Sequence, residues 1–255
     1  VNDELLCEVR DAALYLTINR PQRRNAITPG VLQGLRDGIL RADREADIRA
    51  VVITGTGEQA FCAGADLQTG KSFRFDYADP YQGMADLFRC ARQSTVPLIA
   101  RVNGACMAGG MGLMAMCDLA VASEGAVFGL PEVNVGLFPA QVLSVLQHLL
   151  PRRRLTELCL CGEPISAREA LAAGLVNYVS DDLDAELGRL LARMAEQSPA
   201  AIRRGLYTLK HVETMSFEQS MAFTESQIGL FALTEDAREG QLAFREKRQP
   251  MWTGR

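Results

Sequence analysis

Two glycine-rich stretches and one isolated carboxylate are the parts of this 255-residue sequence in which chemistry can be read. The stretch from Asn103 to Asp118 carries no charge until its last residue and places glycines at 104, 109, 110 and 112. Glycines gather where a backbone must take positive φ, or where another group must come close to main-chain atoms. These stand between an apolar run, Pro97 to Val102, and good helix formers, Leu113 to Met116, so the order reads strand, glycine turn, helix start. Such a turn presents unpaired N–H groups with a helix dipole behind them, a receptor for negative charge. Close packing of a helix on its neighbour would select the same glycines, and the stretch alone leaves both readings open. The other stretch, Gly55 to Ala60, matches G-x-G-x-x-A, yet Gly64 follows within a few residues and Glu58 would face a pyrophosphate. A dinucleotide fingerprint needs a helix opening at its glycines, so nicotinamide or flavin chemistry is not expected. The carboxylate is Glu132, alone after Pro131 at the head of an uncharged run from Val133 to Leu150.

Other chemistries find little support. Seven cysteines, at 7, 62, 90, 106, 117, 159 and 161, are odd in number and lie mostly in apolar runs, the usage of reduced thiols. Cys159 and Cys161 have no second ligand pair, so no metal site is expected. His148 and His211 sit in helical runs away from the glycines, which disfavours a Cys–His hydrolase. A net charge of -4 gives no basic footprint for nucleic acid, and Arg152 to Arg154 read as a solvated helix start. Asn134, Gly136, Pro139, Gln141, Ser144, Gln147 and His148 interrupt the uncharged run, which is expected to be a buried segment rather than a membrane span. The first residues, Val-Asn-Asp-Glu, show no signal-peptide pattern, and a cytoplasmic location is expected.

The positioning elements follow from periodicity and caps. Leu5 to Val9 and Ala13 to Ile18 alternate as a hairpin. Thr28-Pro29 opens a helix with Val31, Leu35, Ile39 and Ala42 on one face. Ala50 to Thr54 is short and apolar enough for an interior strand; residues 68 to 80 show no period and read as a loop, potentially a lid. A helix from about Tyr81 to Gln93 would turn Met84, Leu87, Phe88 and Ala91 inward. Asp118 to Ala122, Ala126 to Gly129 and Leu175 to Val179 read as further strands. Ser166 and Ser216 each begin a capping box, and Thr234 opens a last helix. Phe217, Met221, Phe223, Ile228, Leu230 and Phe231 are more apolar than one helix face of a monomer needs, as at a subunit interface.

Several motifs in order resemble the enoyl-CoA hydratase/isomerase family, the crotonase superfamily. They are Arg20-Pro21 with Arg24 to Ile27, Phe61 to Leu67, Asn103-Gly104 with Ala108 to Gly110 and Cys117-Asp118, Phe128 with Pro131-Glu132 and Gly136, Gly174 to Val176, and the tail Phe244 to Arg248. The resemblance implies an α/β fold, a crotonase-like spiral of ββα units over residues 1–195, with a helical C-terminal trimerisation region over 196–255. It implies a homotrimer or dimer of trimers, an acyl-CoA thioester as substrate, and no separate cofactor. The N–H groups of Ala65 and Gly109 would form an oxyanion hole for the thioester carbonyl, with Glu132 as acid/base. Arg24, Ala26, Ala63, Asp66, Leu67, Met107, Pro131, Phe244 and Lys247 would contact CoA or the acyl group. Asp66 suits a turn cap equally well.

The pattern breaks at one position. Family hydratases hold water between two glutamates; one falls at Glu132, and the other at the fourth position counting from Gly109, which is Gly112. Hydration needs an oriented, deprotonated water and a proton for the α carbon, whereas moving a double bond needs one carboxylate to shuttle a proton. Set among Val133, Val135 and Leu137, Glu132 would have its pKa raised toward neutrality. The position of the dehalogenase branch's nucleophilic aspartate is near Ala140, so that chemistry is not expected. A binding protein that holds acyl-CoA without turnover, and a thioester hydrolase, are the alternatives.

Overall fold

A computed structural model of the chain describes residues 3–66 and 83–255. Leu67 and the loop expected over 68 to 80 lie outside the described residues, as does the expected helix start at Tyr81.

Strands β1 (Leu5–Arg10) and β2 (Ala13–Ile18) pair antiparallel across Asp11 and Ala12, both at positive φ as a two-residue hairpin requires. Helix α1 (Pro29–Arg44) starts where the Thr28 hydroxyl accepts the Val31 N–H at 3.1 Å, and it buries Val31, Leu35, Ile39 and Ala42. The chain then winds: β3 (Ala50–Gly55), β4 (Ala60–Cys62), α2 (Gly83–Gln93); β5 (Leu98–Val102), β6 (Ala105–Met107), α3 (Gly109–Ala115); β7 (Leu119–Ser123), β8 (Val127–Gly129), and a 3-10 turn over Pro131–Val135. The first strand of each round joins one sheet and the second joins another. The larger sheet runs β1-β2-β3-β5-β7, the smaller β4-β6-β8, and β2-β3-β5-β7 and β4-β6-β8 are parallel. This is the ββα spiral. The core lies between the sheets and the helices, and every residue of β3 is buried.

Next come α4 (Leu143–Leu146), α5 (Arg152–Cys161), β9 (Ile165–Ser166), α6 (Ala167–Ala172), β10 (Tyr178–Ser180) and α7 (Leu183–Ala195). β9 closes the smaller sheet antiparallel to β8, and β10 closes the larger one beside β7. Helices α8 (Pro199–Val212), α9 (Phe217–Ala232) and α10 (Glu235–Glu246) pack on one another, and the expected caps at Ser166, Ser216 and Thr234 are all made.

Three expectations are corrected. The glycine stretch holds a second strand, β6, and its helix opens at Gly109 rather than Leu113. Three residues are too few for alternation to reveal a strand. The last strand is Tyr178–Ser180; Leu175 and Val176 are buried in the loop before it. The uncharged run is not buried throughout: Val135, Phe138 and Leu149 are exposed, because the run forms surface turns around short α4.

Candidate active site

Parallel pairing of β4 with β6 sets Cys62 beside Cys106, so the loops leaving the two strands emerge side by side. One passes through Gly64 (φ 93°) to Ala65; the other passes through Ala108 (φ 51°, ψ -123°) to Gly109. Positive φ at a non-glycine residue is strained backbone, held here because the Ala108 N–H donates to the Gly129 carbonyl (2.9 Å). A Cβ added at Gly64 would lie 2.7 Å from Ala108 Cβ and 3.2 Å from Gly109 N, so glycine is what lets the loops touch.

The direction of two N–H groups follows. Ile27 N–H donates to the Gly64 carbonyl (2.8 Å) and Asp66 N–H to the Ile27 carbonyl (3.1 Å), a parallel bridge at Ala65. The Ala65 N–H between them therefore points away from Ile27. Gly109 is the first residue of α3, where an N–H has no acceptor within the helix. Neither group donates to an acceptor among the described residues.

Buried amides and one guanidinium brace these loops. Asn103 Oδ1 accepts the Gly55 N–H (3.2 Å), and its Nδ2 donates to the carbonyls of Gly57 and Ala60. Asn25 Nδ2 donates to the carbonyls of Ala60 (2.7 Å) and Thr56 (3.0 Å). The G-x-G-x-x-A segment is thus a braced turn between strands, with no helix at its glycines. Arg20 donates to the Ala26 carbonyl (2.7 Å) and pairs with Asp66 (2.8 Å) and Glu4 (3.1 Å). Asp66 thereby helps fix the Ala65 loop. These bracing roles of Arg20, Asn25 and Asn103 escaped the sequence; a polar side chain beside each glycine turn was the available signal.

Glu132 lies in the 3-10 turn, which ends at Gly136 (φ 74°). One carboxylate oxygen, Oε2, is buried and has no hydrogen-bond partner among the described residues. Burial pushes its pKa above the ordinary carboxylate value, opposed only by the residue's own N–H. The neighbours are not those expected, since Val133 and Val135 are exposed. The turn packs on α5, and Glu132's charge reaches Cys159 there. Gly129, which holds Ala108, is three residues before Glu132, a chain reach of at most about 11 Å.

No second carboxylate stands at Gly112. A Cβ there would lie 2.6 Å from Phe88 Cζ and 2.7 Å from Val142 Cγ1, so two buried side chains already hold that place. Asp86 pairs with Arg89, while Asp76 and Asp79 lie outside the described residues. Burial pushes the Cys62 thiol up to about 12 and also raises Cys106 and Cys117. His148 lies 3.5 Å from Glu213, and His211 Nδ1 is 2.6 Å from the Tyr207 carbonyl, so neither histidine is paired with a thiol.

Of the residues expected to contact substrate, Arg24, Ala26, Ala63 and Asp66 gather around Ala65; the Arg24 carbonyl accepts the Ala63 N–H at 3.0 Å. Met107 ends β6 beside Gly129, and Pro131 opens the turn of Glu132. Phe244, 86% exposed, and Lys247 are at the end of α10, which packs on α8 and α9, and no hydrogen bond ties either to the glycine loops. Near Glu132's turn, an open hollow of about 390 Å³ is lined by Phe138, Leu143, Arg152, Leu155, Cys159 and Leu160, with Gln147 and Thr156.

The family model for enoyl-CoA hydratase/isomerase matches residues 8–255. Among curated relatives, the 2,3-dehydroadipyl-CoA hydratase of Escherichia coli is 34% identical, with 99% of each chain covered. The mitochondrial enoyl-CoA hydratase domain-containing protein 3 of Rattus norvegicus is 34% identical, covering 96% of this chain and 82% of that protein. A crystal structure of enoyl-CoA hydratase from Mycobacterium smegmatis superposes with a TM-score of 0.92 at 32% identity, with 98% of both chains covered. Fold, glycine loops and sequence agree, and this chain belongs to the enoyl-CoA hydratase/isomerase family.

Proposed function

We propose that the protein acts on an enoyl-CoA thioester through an enolate, with Ala65 and Gly109 N–H groups as the oxyanion hole and Glu132 as the one acid/base. The observation that carries this reading is a buried carboxylate oxygen with no partner among the described residues, three residues after the Gly129 that holds Ala108, together with two neighbouring loops whose Ala65 and Gly109 N–H groups donate to no acceptor among the described residues. A buried acceptor left unpaired costs stability, so its retention fits a reagent better than a structural group.

The reaction this favours is movement of a double bond from C3=C4 to C2=C3. The Glu132 carboxylate takes a proton from C2, and the electron pair spreads over C2, the thioester oxygen and C4. The two N–H groups hold the charge on oxygen, a contribution of about 10² to 10³ in rate per donor. Protonated Glu132 then gives its proton to C4, and no atom is gained or lost. The CoA thioester is itself the substrate, with no further cofactor. Arg24, Ala26, Ala63 and Asp66 line its approach, Leu67 is assigned to it by the family resemblance alone, and Phe244 and Lys247 reach CoA from another copy.

Hydration by Glu132 alone is the second reading, favoured by the hydratase names of the relatives. Exposed Phe217, Met221, Ile228 and Leu230 on α9 support a homotrimer or dimer of trimers. Among the described residues, no helix is long and apolar enough to cross a membrane, and seven free thiols fit a reducing compartment such as the cytoplasm.

The test is to offer purified protein a short 3-enoyl-CoA and its 2-enoyl isomer and to weigh the products. Conversion of the first into the second without added water is the expected result. A 3-hydroxyacyl product would favour the second reading, and CoA binding with neither thioester changed would make this a binding protein.

A further inference from the structure

We infer that Phe88 and Val142 form an apolar plug over Gly112 that limits the site to moving a proton on the substrate and keeps water from adding at C3 of the 2-enoyl thioester. This rests on the enolate reading proposed above.

Two side chains of α2 meet two glycines of α3 here. Met84 and Phe88 are one turn apart on α2, and Gly109 and Gly112 are one turn apart on α3. Met84 Cε lies 3.3 Å from the place of a Cβ on Gly109, and Phe88 Cζ lies 2.6 Å from that on Gly112. The ends of two α2 side chains thus reach α3 at the oxyanion residue Gly109 and at Gly112. Val142 Cγ1 also meets that place, at 2.7 Å, and belongs to the same segment as Glu132, ten residues on. Phe88 is 9% exposed and Val142 5%.

Two consequences follow from size and polarity. Any side chain at 112 must displace an aromatic ring and a branched methyl from a packed interior, so Gly112 cannot simply regain a carboxylate. A water in that place would meet carbon, whereas a held water needs two to four polar partners. In hydration by two carboxylates an O–C3 bond forms from water, one water proton passes to one carboxylate, and the other, as its acid, delivers a proton to C2. Glycine at 112 leaves out the second acid, and the plug leaves water no polar seat in its place. Proton return from Glu132 to carbon needs neither.

The experiment compares wild type, Gly112→Glu, and Phe88→Ala with Gly112→Glu in water labelled with oxygen-18. Wild type must first move the double bond of a 3-enoyl-CoA; failure there overturns the enolate reading itself and not the plug. Gly112→Glu alone is expected to lower the melting temperature and to gain no hydration. The double variant is expected to form labelled 3-hydroxyacyl-CoA from 2-enoyl-CoA at least about tenfold faster than wild type, a modest share of what a placed acid or base contributes. A folded double variant without that gain, or a Gly112→Glu protein that melts like wild type and hydrates as fast as the double variant, overturns the plug. If the double variant does not fold, Phe88→Ala alone decides. With substrate deuterated at C2, the wild type should carry label to C4 and Phe88→Ala should lose it to entering water; equal retention overturns the inference.

Discussion

Asp118 and Glu132 are both carboxylates whose pKa values burial raises, yet they are built in opposite ways. Asp118 accepts the Leu98 N–H at 2.8 Å and meets Lys210 Nζ at 3.0 Å, while Lys210 also donates to the carbonyls of Ala91 and Ser94. The Lys210 bonds tie α8 to the spiral, and the Leu98 bond ties β5 to the turn before β7. Glu132 has an oxygen with no such bond, in a short turn rather than between core elements. A carboxylate whose acceptor sites are filled holds elements together. One left short of donors keeps its basicity available, and the difference separates a clamp from a reagent.

Four expected outcomes sharpen or break that contrast. The largest concerns turnover: Glu132→Gln should lose about 10² to 10⁴ in rate, the usual worth of a positioned acid or base, while folded Asp118→Asn keeps its turnover. Comparable losses in both, measured on equally folded protein, would erase the distinction. Next is stability: Lys210→Met leaves Asp118 buried without its cation and should cost about 3 kcal/mol in urea unfolding, with no comparable loss in Glu132→Gln. Smaller is Gly110→Ala, whose Cβ would lie 2.3 Å from the Cys62 carbonyl oxygen. Overpacking against backbone should cost about 1 to 3 kcal/mol and disturb the loop holding Gly109.

The smallest effect is in pH. Because the Glu132 pKa is raised in the folded protein, its base form appears only above the ordinary carboxylate range, and the acid limb of kcat/KM should fall there. Between the unfolded and folded pKa values the folded state binds more protons, so this group's contribution to stability falls as pH rises through that window. Melting curves of wild type and Glu132→Gln across that range check the sign.

Local physics made much of this legible. Thr28 capping α1, the hairpin at Asp11-Ala12 and the break at Gly112 each depend on a few adjacent residues. Hidden features depend on separate segments meeting. That Phe88 and Val142 fill the place over Gly112 joins α2, α3 and the turn before α4, and no pattern within one segment encodes it. Arg20 holding Asp66 across 46 residues is of the same kind. The run after Glu132 misled for another reason, since an apolar surface that a second copy could cover reads like a core segment. Outward-facing Val135 and Phe138 show the difference only in three dimensions.

The most direct measurement is exchange of the C2 protons of a saturated acyl-CoA with deuterated water, followed by mass, in wild type, Glu132→Gln and Asp118→Asn. No double bond or water addition is involved, so the rate reports proton removal next to the thioester, into the proposed oxyanion hole, alone. Loss of exchange by about a hundredfold or more in Glu132→Gln, with CoA affinity and melting temperature retained and Asp118→Asn still exchanging, is the predicted result. Exchange in Glu132→Gln at the wild-type rate would contradict the account, because another group would then be taking the proton.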